Sequence, residues 1–106
     1  MTVKVLPPAE IQKLITEKSV NIIDVRTPQE RAQGYIQDSV HMNFNSPDFE
    51  TKLKALDKSK PVIFYCQSGV RAGRAAAAAE NAGFSEIYSI EGGISGWNSK
   101  KMPIVY

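Results

Sequence analysis

Apolar positions along the chain follow two spacings, one typical of helices and one typical of buried strands. Ile11, Leu14 and Ile15 lie three and four positions apart behind a proline suited to a first helical turn, which predicts a helix over residues 9–17. Residues 20–25 are mostly apolar and β-branched, as in a buried strand. The same spacings predict three further strands, over 35–44 (half-buried), 62–65 and 86–90. They also predict a short helix over 28–33 capped by Thr27, helices over 48–56 and 72–81, and a last helical turn over 94–98.

Strands that alternate with helices indicate an α/β fold with a mainly parallel β-sheet. The helix over 72–81 contains five consecutive alanines, residues 75–79, and such small side chains let a helix lie close against a sheet. A chain of 106 residues has room for one hydrophobic core. We therefore expect residues 1–106 to form a single domain.

The charge and hydropathy of the chain argue against a nucleic-acid or membrane partner. The 13 Lys and Arg residues are nearly balanced by 11 Asp and Glu residues, and the basic positions are scattered. The apolar stretches are far shorter than the ~20 residues that a membrane span needs, and the N-terminus lacks the profile of a signal peptide. The expected location is the cytoplasm, or the periplasm if a signal peptide has been removed.

The sequence contains one cysteine, Cys66, and one histidine, His41. A lone cysteine forms no disulfide within the chain, and one cysteine with one histidine is too few for a structural zinc site. We expect no metal and no cofactor, so any covalent chemistry is assigned to the cysteine itself.

The most informative segment is the loop that joins the strand over 62–65 to the helix over 72–81. In an α/β sheet, ligands bind beyond the carboxyl ends of the strands, where helix N-termini present unpaired N–H groups and a partial positive charge. A thiolate at Cys66 is favoured there by the loop amides and by the guanidinium of Arg71. The sequence thus predicts a nucleophile with an anion-binding loop, formed by Cys66, Gln67, Ser68, Gly69, Val70 and Arg71.

Such a loop suits the transfer of a sulfur atom. A thiolate that attacks the outer sulfur of a donor becomes a persulfide, Cys–S–S⁻, whose charge lies where the amides converge. Gly69 allows a tight turn close to the ligand, and the hydroxyl of Ser68 is a hydrogen-bond donor. An acceptor then removes the outer sulfur and regenerates Cys66, which is a two-step reaction through a covalent intermediate.

Four segments of the chain resemble motifs of the rhodanese family of sulfurtransferases. The stretch from Cys66 to Arg71, with four residues between the two, resembles the active-site loop of that family. Asp24-Val25-Arg26, followed by Glu30, is similar to the family's early Asp-x-Arg with its glutamate. The stretch from Gly34 to Asn43 is similar to the family's central Gly-His-Ile-Pro-Gly-Ala-x-His-Ile-Pro, and the stretch from Glu91 to Trp97 is similar to its closing Gly-Gly…Trp signature. In the central stretch, Tyr35 replaces the histidine and residues 37–39 replace Pro-Gly-Ala, so this turn is expected to differ in shape.

The resemblance implies a rhodanese-like fold, with a mainly parallel sheet flanked by helices on both faces. It also implies a thiosulfate sulfurtransferase-like enzyme that moves sulfur through a Cys66 persulfide. The implied substrates are a small anionic donor such as thiosulfate and an acceptor that is cyanide, a thiol or another protein.

Other polar and aromatic residues in these motifs are interpreted as structural. An acid and a base that close a strand, Asp24 and Arg26, more often form a buried ion pair than a catalytic pair. His41 lies outside the cysteine loop, and persulfide transfer needs no histidine base. Trp97 is interpreted as a packing anchor in the core.

Three alternative functions remain open at this point. Cysteine phosphatases and arsenate reductases of related fold resemble a Cys-x5-Arg pattern, one residue longer than the loop from Cys66 to Arg71. A sulfur carrier or redox module loaded by a partner protein requires the same persulfide without efficient turnover of thiosulfate. A thiol sensor is the third alternative, although the chain has no second cysteine to resolve an oxidised Cys66.

Overall fold

The computed structural model describes residues 3–106. Strands and helices alternate along this part of the chain, in the order β1 (Val3–Leu6), α1 (Pro8–Glu17), β2 (Asn21–Asp24), α2 (Pro28–Arg31), β3 (Val40–His41), α3 (Phe49–Lys54), β4 (Val62–Tyr65), α4 (Val70–Ala82), β5 (Ile87–Ile90) and α5 (Gly93–Ser99). None of the helices within residues 3–106 has the length and apolar character needed to cross a membrane.

The five strands form one sheet in the order β1-β5-β4-β2-β3, and every neighbouring pair is parallel. The central strand β4 is buried along its whole length, because it has a strand on each side and helices above and below. Its carboxyl end leads directly into Cys66. The sheet therefore places the cysteine at the middle of its carboxyl edge, where an α/β sheet binds ligands.

Side chains of β4 alternate between the two faces of the sheet, and each face has its own hydrophobic core. Val62 and Phe64 lie in the core covered by α3 and α4, whose buried side chains include Phe49, Leu53, Ala72, Ala75, Ala76 and Ala79. Ile63 and Tyr65 lie in the opposite core, covered by α1 and α5, whose buried side chains include Ile11, Ile94 and Trp97. Helices on both faces confirm the expected fold class.

Trp97 is a core residue, as predicted. Its side chain is 1% exposed, and its indole N–H donates to the backbone carbonyl of Pro103 at 2.8 Å. The indole therefore holds the segment that follows α5 against the sheet.

Most predicted elements begin and end within two residues of the observed ones, but the strand predicted within residues 35–44 is wrong in extent. Only Val40–His41 pairs with the sheet, at its edge beside β2. Ile36 is buried for another reason, since its backbone N–H donates to the hydroxyl of Tyr65 at 3.1 Å and draws the loop onto the core. Ile36 therefore adds to the alternation of apolar and polar residues in the sequence although it lies in a loop and not in a strand.

The structure also contains a strand that the hydrophobic pattern does not predict. β1 pairs in parallel with β5, from Val3 opposite Ile87 to Leu6 opposite Ile90. It lies at the edge of the sheet, and its two middle residues are exposed while its two end residues are partly buried. Backbone hydrogen bonds rather than apolar burial define this strand.

Candidate active site

Cys66 lies at the start of a tight turn between β4 and α4, and its side chain is 1% exposed. The Sγ atom accepts hydrogen bonds from the backbone N–H of Gly69 at 3.0 Å and of Ala72 at 3.4 Å. Gly69 has φ +117°, a left-handed conformation that glycine adopts without strain, and it caps α4. These N–H groups and the helix field favour negative charge on the sulfur.

The rest of the predicted loop faces solvent. The side chains of Gln67, Ser68 and Val70 are exposed, and that of Val70 is 68% exposed. α4 begins at Val70, two positions before its predicted start, because the glycine turn brings the chain into the helix at once. These three exposed residues form a rim around the buried sulfur of Cys66, so a ligand that arrives from solvent meets the rim before it meets the sulfur.

The amino end of α5 supports the loop from behind. Ile94 N–H donates to the carbonyl of Cys66 at 2.9 Å, and Ser95 N–H donates to the carbonyl of Gln67 at 3.2 Å. The Gln67 side-chain amide also donates to Ser95 Oγ at 2.9 Å. These contacts fix both carbonyls on the side of α5. The helix was predicted from the sequence over residues 94–98, but its contact with the cysteine loop was not.

Gly93, the first residue of α5, lies very close to the backbone of the cysteine loop. A Cβ atom there would lie 2.5 Å from the carbonyl oxygen of Cys66 and 2.6 Å from that of Gln67, and the backbone has φ +61°. The paired glycines before Trp97 in the sequence were the available signal, because glycine permits both a left-handed backbone and the close approach of a second backbone.

We expect Gly93→Ala to displace the cysteine loop and to lower the free energy of unfolding by roughly 2 kcal/mol, because a left-handed backbone and a collision with carbonyl oxygens both oppose it. Urea unfolding followed by circular dichroism measures this loss. The matched control is Gly73→Ala in α4, where a Cβ meets no atom within 4 Å. An equal effect of the two substitutions would contradict the proposed close approach.

Arg71 points its guanidinium at Glu30 of α2. Nη1 and Nη2 donate to the two carboxylate oxygens, each at 2.7 Å, in a bidentate pair that joins residues 41 positions apart. The hydrogen bonds that Arg71 donates to Glu30 raise the pKa of Arg71 above its ordinary value, and the nearby charge of Cys66 adds to this shift. The predicted anion-binding arginine therefore lies beside the loop, but its main partner is a carboxylate that sequence reasoning had not linked to it.

Glu30 is itself held in place by the start of its own helix. Its Oε1 atom accepts hydrogen bonds from the backbone N–H of Thr27 at 3.0 Å and from the Thr27 hydroxyl at 3.1 Å. Thr27 is the predicted cap of this helix, and together the two residues form a capping box. The bonds from Arg71, followed by those from Thr27, lower the pKa of Glu30 to about 2.

This lowered pKa gives the fold a dependence on acid. The ordinary pKa of the carboxyl is 4.5, so the stabilisation by Glu30 is complete above that pH and is lost as the pH falls toward about 2. We expect Glu30→Gln to lower the free energy of unfolding by about 1 kcal/mol at pH 7, the scale of a partly exposed pair. Urea titrations at several pH values will show the difference from the unmodified protein shrinking below pH 4.5, and a constant difference would refute this origin.

Asp24 and Arg26 form the buried ion pair predicted from the sequence. Their side chains are 0% and 2% exposed, and two guanidinium N–H groups of Arg26 donate to the carboxylate at 2.9 Å. Arg31 adds a bond at 3.2 Å and the hydroxyl of Tyr65 another at 3.2 Å. No buried side-chain nitrogen or oxygen within residues 3–106 lacks a hydrogen-bond partner.

This buried network also positions the elements around the site. Arg26 Nη1 donates to the carbonyl of Glu30 at 3.2 Å and Nη2 to the carbonyl of Gly34 at 2.7 Å. The ion pair therefore anchors the carboxyl end of α2 and the turn after it, which together form the α2 segment, residues 28–34. His41 Nε2 bonds to the carbonyl of Arg26 at 2.7 Å, which makes that nitrogen the donor and assigns the ring a structural contact.

A cavity of about 200 Å³ opens beside the cysteine loop. It lies between Gln67, the α2 segment, the solvent side of α5 and the segment after α5, and its lining residues are Arg26, Gln33, Gly34, Gln67, Ile94, Ser95, Asn98, Ile104 and Tyr106. The cavity meets the cysteine loop at Gln67, and side-chain amides and hydroxyls form much of its wall.

Comparison with known proteins agrees with this geometry. The sequence profile described as the rhodanese-like domain matches residues 7–100. The chain belongs to the rhodanese-like family. The match includes every helix and all strands except β1, as well as the cysteine loop, and it confirms the resemblance drawn from the motifs.

Individual relatives match over most of their own lengths. The chain is 36% identical over 97 residues to the thiosulfate sulfurtransferase GlpE of Pseudomonas syringae, covering 91% of this chain and 88% of that protein. It is 32% identical over 94 residues to a sulfurtransferase of Allochromatium vinosum, covering 89% and 86%. A crystal structure of a rhodanese-related protein from Thermoplasma volcanium superposes with a TM-score of 0.85 at 26% identity, covering 96% and 97%. These findings confirm a rhodanese-like fold and a thiosulfate sulfurtransferase-like enzyme.

Proposed function

We propose that this rhodanese-like protein transfers sulfane sulfur from a small anionic donor to a thiophilic acceptor through a persulfide on Cys66. The observation that carries the proposal is the environment of Sγ, which accepts two backbone N–H bonds at 3.0 and 3.4 Å at the start of the 13-residue helix α4. The names of the sulfurtransferase relatives support the same reaction class.

In the first step the Cys66 thiolate attacks the outer sulfur of thiosulfate. A new S–S bond forms to Sγ, the S–S bond of thiosulfate breaks, and sulfite leaves with the bonding electron pair. The product is Cys–S–S⁻, and the total charge is unchanged. The amides of the loop and the amino end of α4 support the negative charge on sulfur throughout this step.

In the second step the acceptor attacks the outer sulfur of the persulfide. Cyanide leaves as thiocyanate, or a thiolate leaves as a new persulfide, and the Cys66 thiolate is released with the electrons of the broken S–S bond. Since the exposed rim of the loop surrounds a buried Sγ, the outer sulfur is the atom that extends toward an acceptor. A sulfur-accepting protein would reach the same atom.

Two observations favour sulfur transfer over oxyanion hydrolysis. Only four residues separate Cys66 from Arg71, which makes a narrower loop than the Cys-x5-Arg cradle of the phosphatases and arsenate reductases. The guanidinium of Arg71 is also bound to Glu30 at 2.7 Å, so it is not positioned to encircle a tetrahedral oxyanion over the sulfur.

Intact-mass analysis tests this proposal. We expect a gain of about 32 Da, one sulfur atom, after incubation with thiosulfate and desalting without reductant, and a return to the starting mass on addition of a thiol. Because the chain has one cysteine, alkylation of Cys66 beforehand is expected to abolish the gain. Loading only by a persulfidated protein would indicate a sulfur carrier, and no loading combined with hydrolysis of p-nitrophenyl phosphate would replace the proposal with a phosphatase.

A further inference from the structure

Glu30 and Arg71 form a charge-balanced pair next to the nucleophile. The two N–O distances of 2.7 Å use one N–H of each terminal nitrogen of the guanidinium. Both side chains are about a quarter exposed, at 27% and 26%, so the pair meets solvent and an approaching ligand. Arg71 is the second residue of α4, and the next residue, Ala72, donates its N–H to Cys66 Sγ. The pair therefore contributes to the electrostatic field at the sulfur.

The carboxylate in this pair has little freedom to leave. Oε1 of Glu30 is bonded to the N–H and hydroxyl of Thr27 as well as to Arg71. The carbonyl of Glu30 is bonded to Arg26, whose side chain is anchored on the buried Asp24. Glu30 is thus fixed at its backbone and at its carboxylate, and the guanidinium of Arg71 is fixed through it.

A fixed carboxylate changes which anions the loop attracts. An unpaired guanidinium would add one positive charge and a free bidentate fork, which favours a dianion such as thiosulfate. Paired with Glu30, the net charge of the two groups is zero, and a dianion approaching Arg71 also meets the negative carboxylate. An organic persulfide, R–S–S⁻, carries a single negative charge on the sulfur that is transferred, and the loop amides alone suffice to bind it.

We propose that Glu30 is a positioning residue that acts through Arg71 to favour organic persulfides over thiosulfate as sulfur donors. This inference rests on the proposed sulfur transfer and specifies its donor. In the loading step the Cys66 thiolate takes the outer sulfur of R–S–S⁻, the S–S bond of the donor breaks, and RS⁻ leaves with the electron pair, so that Cys–S–S⁻ forms with no change in total charge.

The test compares kcat/KM for thiosulfate and for the persulfide of 2-mercaptoethanol, a monoanion, in the unmodified protein and in Glu30→Gln. Glutamine keeps the size of the side chain and an oxygen for Thr27, but it removes the negative charge. We expect the ratio of kcat/KM for thiosulfate to that for the persulfide to rise roughly fivefold, and this rise to shrink at high salt. The charge-matched control is Glu50→Gln, at an exposed position of α3, and its ratio is expected to stay unchanged.

A double variant separates action through Arg71 from a general structural effect. In an Arg71→Ala background, Glu30→Gln removes a repelling charge but releases no guanidinium, so the donor ratio is expected to rise by clearly less than it does when Arg71 is present. An unchanged or lowered ratio in Glu30→Gln alone would overturn the proposal, as would a fivefold rise that persists without Arg71. Thermal melts establish that each variant is folded.

Alkylation with iodoacetamide, a neutral reagent, keeps the test independent of sulfur transfer. We expect Cys66 at pH 7 to react roughly twofold or more faster in Glu30→Gln, where Arg71 is uncompensated, and slower in Arg71→Ala, where Glu30 is uncompensated. If no donor loads Cys66 but the alkylation rates change in these two directions, the sulfur-transfer function fails while the electrostatic role of Glu30 stands. If loading occurs and neither the donor ratio nor the alkylation rate changes, the role of Glu30 fails alone.

Discussion

Replacing Cys66 with serine is expected to lower sulfur transfer by at least ~10³-fold, because the reaction then lacks the atom that forms the covalent intermediate. A serine hydroxyl accepts the same hydrogen bonds from Gly69 and Ala72, but it is protonated at neutral pH and does not hold a sulfane sulfur. A steady-state assay with thiosulfate and cyanide, read as thiocyanate, measures the loss, and intact mass will show no added sulfur.

The substitution also separates chemistry from folding. Serine nearly matches cysteine in size, so the melting temperature of Cys66→Ser is expected to lie close to that of the unmodified protein. Gly73→Ala, at an open position of the neighbouring helix, is the matched variant for which full turnover is expected. Substantial thiocyanate formation by a folded Cys66→Ser would show that sulfur passes from donor to acceptor without the persulfide.

Replacing Asp24 with asparagine is expected to have the largest effect on stability, a loss of about 3–5 kcal/mol in the free energy of unfolding. The carboxylate accepts hydrogen bonds from Arg26, Arg31 and Tyr65 within a region that excludes water. Asparagine leaves the fully buried guanidinium of Arg26 without a counter-charge and turns an amide N–H₂ toward other donors. Burial raises the pKa of Tyr65, so its phenol stays a donor and cannot replace the lost anion.

Urea unfolding measures the effect of Asp24→Asn, and the expected loss is a large fraction of the total stability of a domain, which is of the order of 5–15 kcal/mol. Asp48→Asn supplies the matched control, because Asp48, the residue before α3, pairs with Lys52 at 3.4 Å in an exposed (i, i+4) arrangement. Only a small change is expected there. Comparable losses in the two variants would mean that the buried charge of Asp24 is not what stabilises the α2 segment.

The sequence predicts those parts of the fold that depend on local patterns. The helix spacing of Ile11, Leu14 and Ile15, the unbroken apolar run of β4 and the alanines of α4 each reflect burial against one neighbour, so their elements are found where predicted. β1 was missed because its middle residues face solvent and its partner is defined by backbone hydrogen bonds with a distant segment. The hydrophobic pattern along residues 3–6 therefore carries no signal of the pairing with β5.

In the candidate site, too, local features are predictable from the sequence and contacts between distant residues are not. Cys66 and the turn at Gly69 are predictable, because a cysteine between a buried strand and a helix, followed by a glycine, is a local signal. The contact of Arg71 with Glu30 joins residues 41 positions apart, and the spacing from Cys66 suggested a ligand contact instead. The support by Gly93 depends on two backbones so close that a Cβ atom at Gly93 would lie 2.5 Å from the carbonyl oxygen of Cys66, which only the folded chain reveals.

The position of β1 in the sheet has a consequence for how the chain folds. β1 is synthesised before β5, yet within residues 3–106 its sheet neighbour is β5, and Val3 pairs with Ile87. A contact this distant along the chain closes a long loop at a high entropic cost, which slows folding. α5, whose first residues hold the carbonyls of the cysteine loop, follows β5 in turn. During synthesis the cysteine loop therefore lacks the hydrogen bonds from α5 until residues 87–99 have left the ribosome, so we expect the loop to take its final shape only after β5 and α5 have joined the sheet.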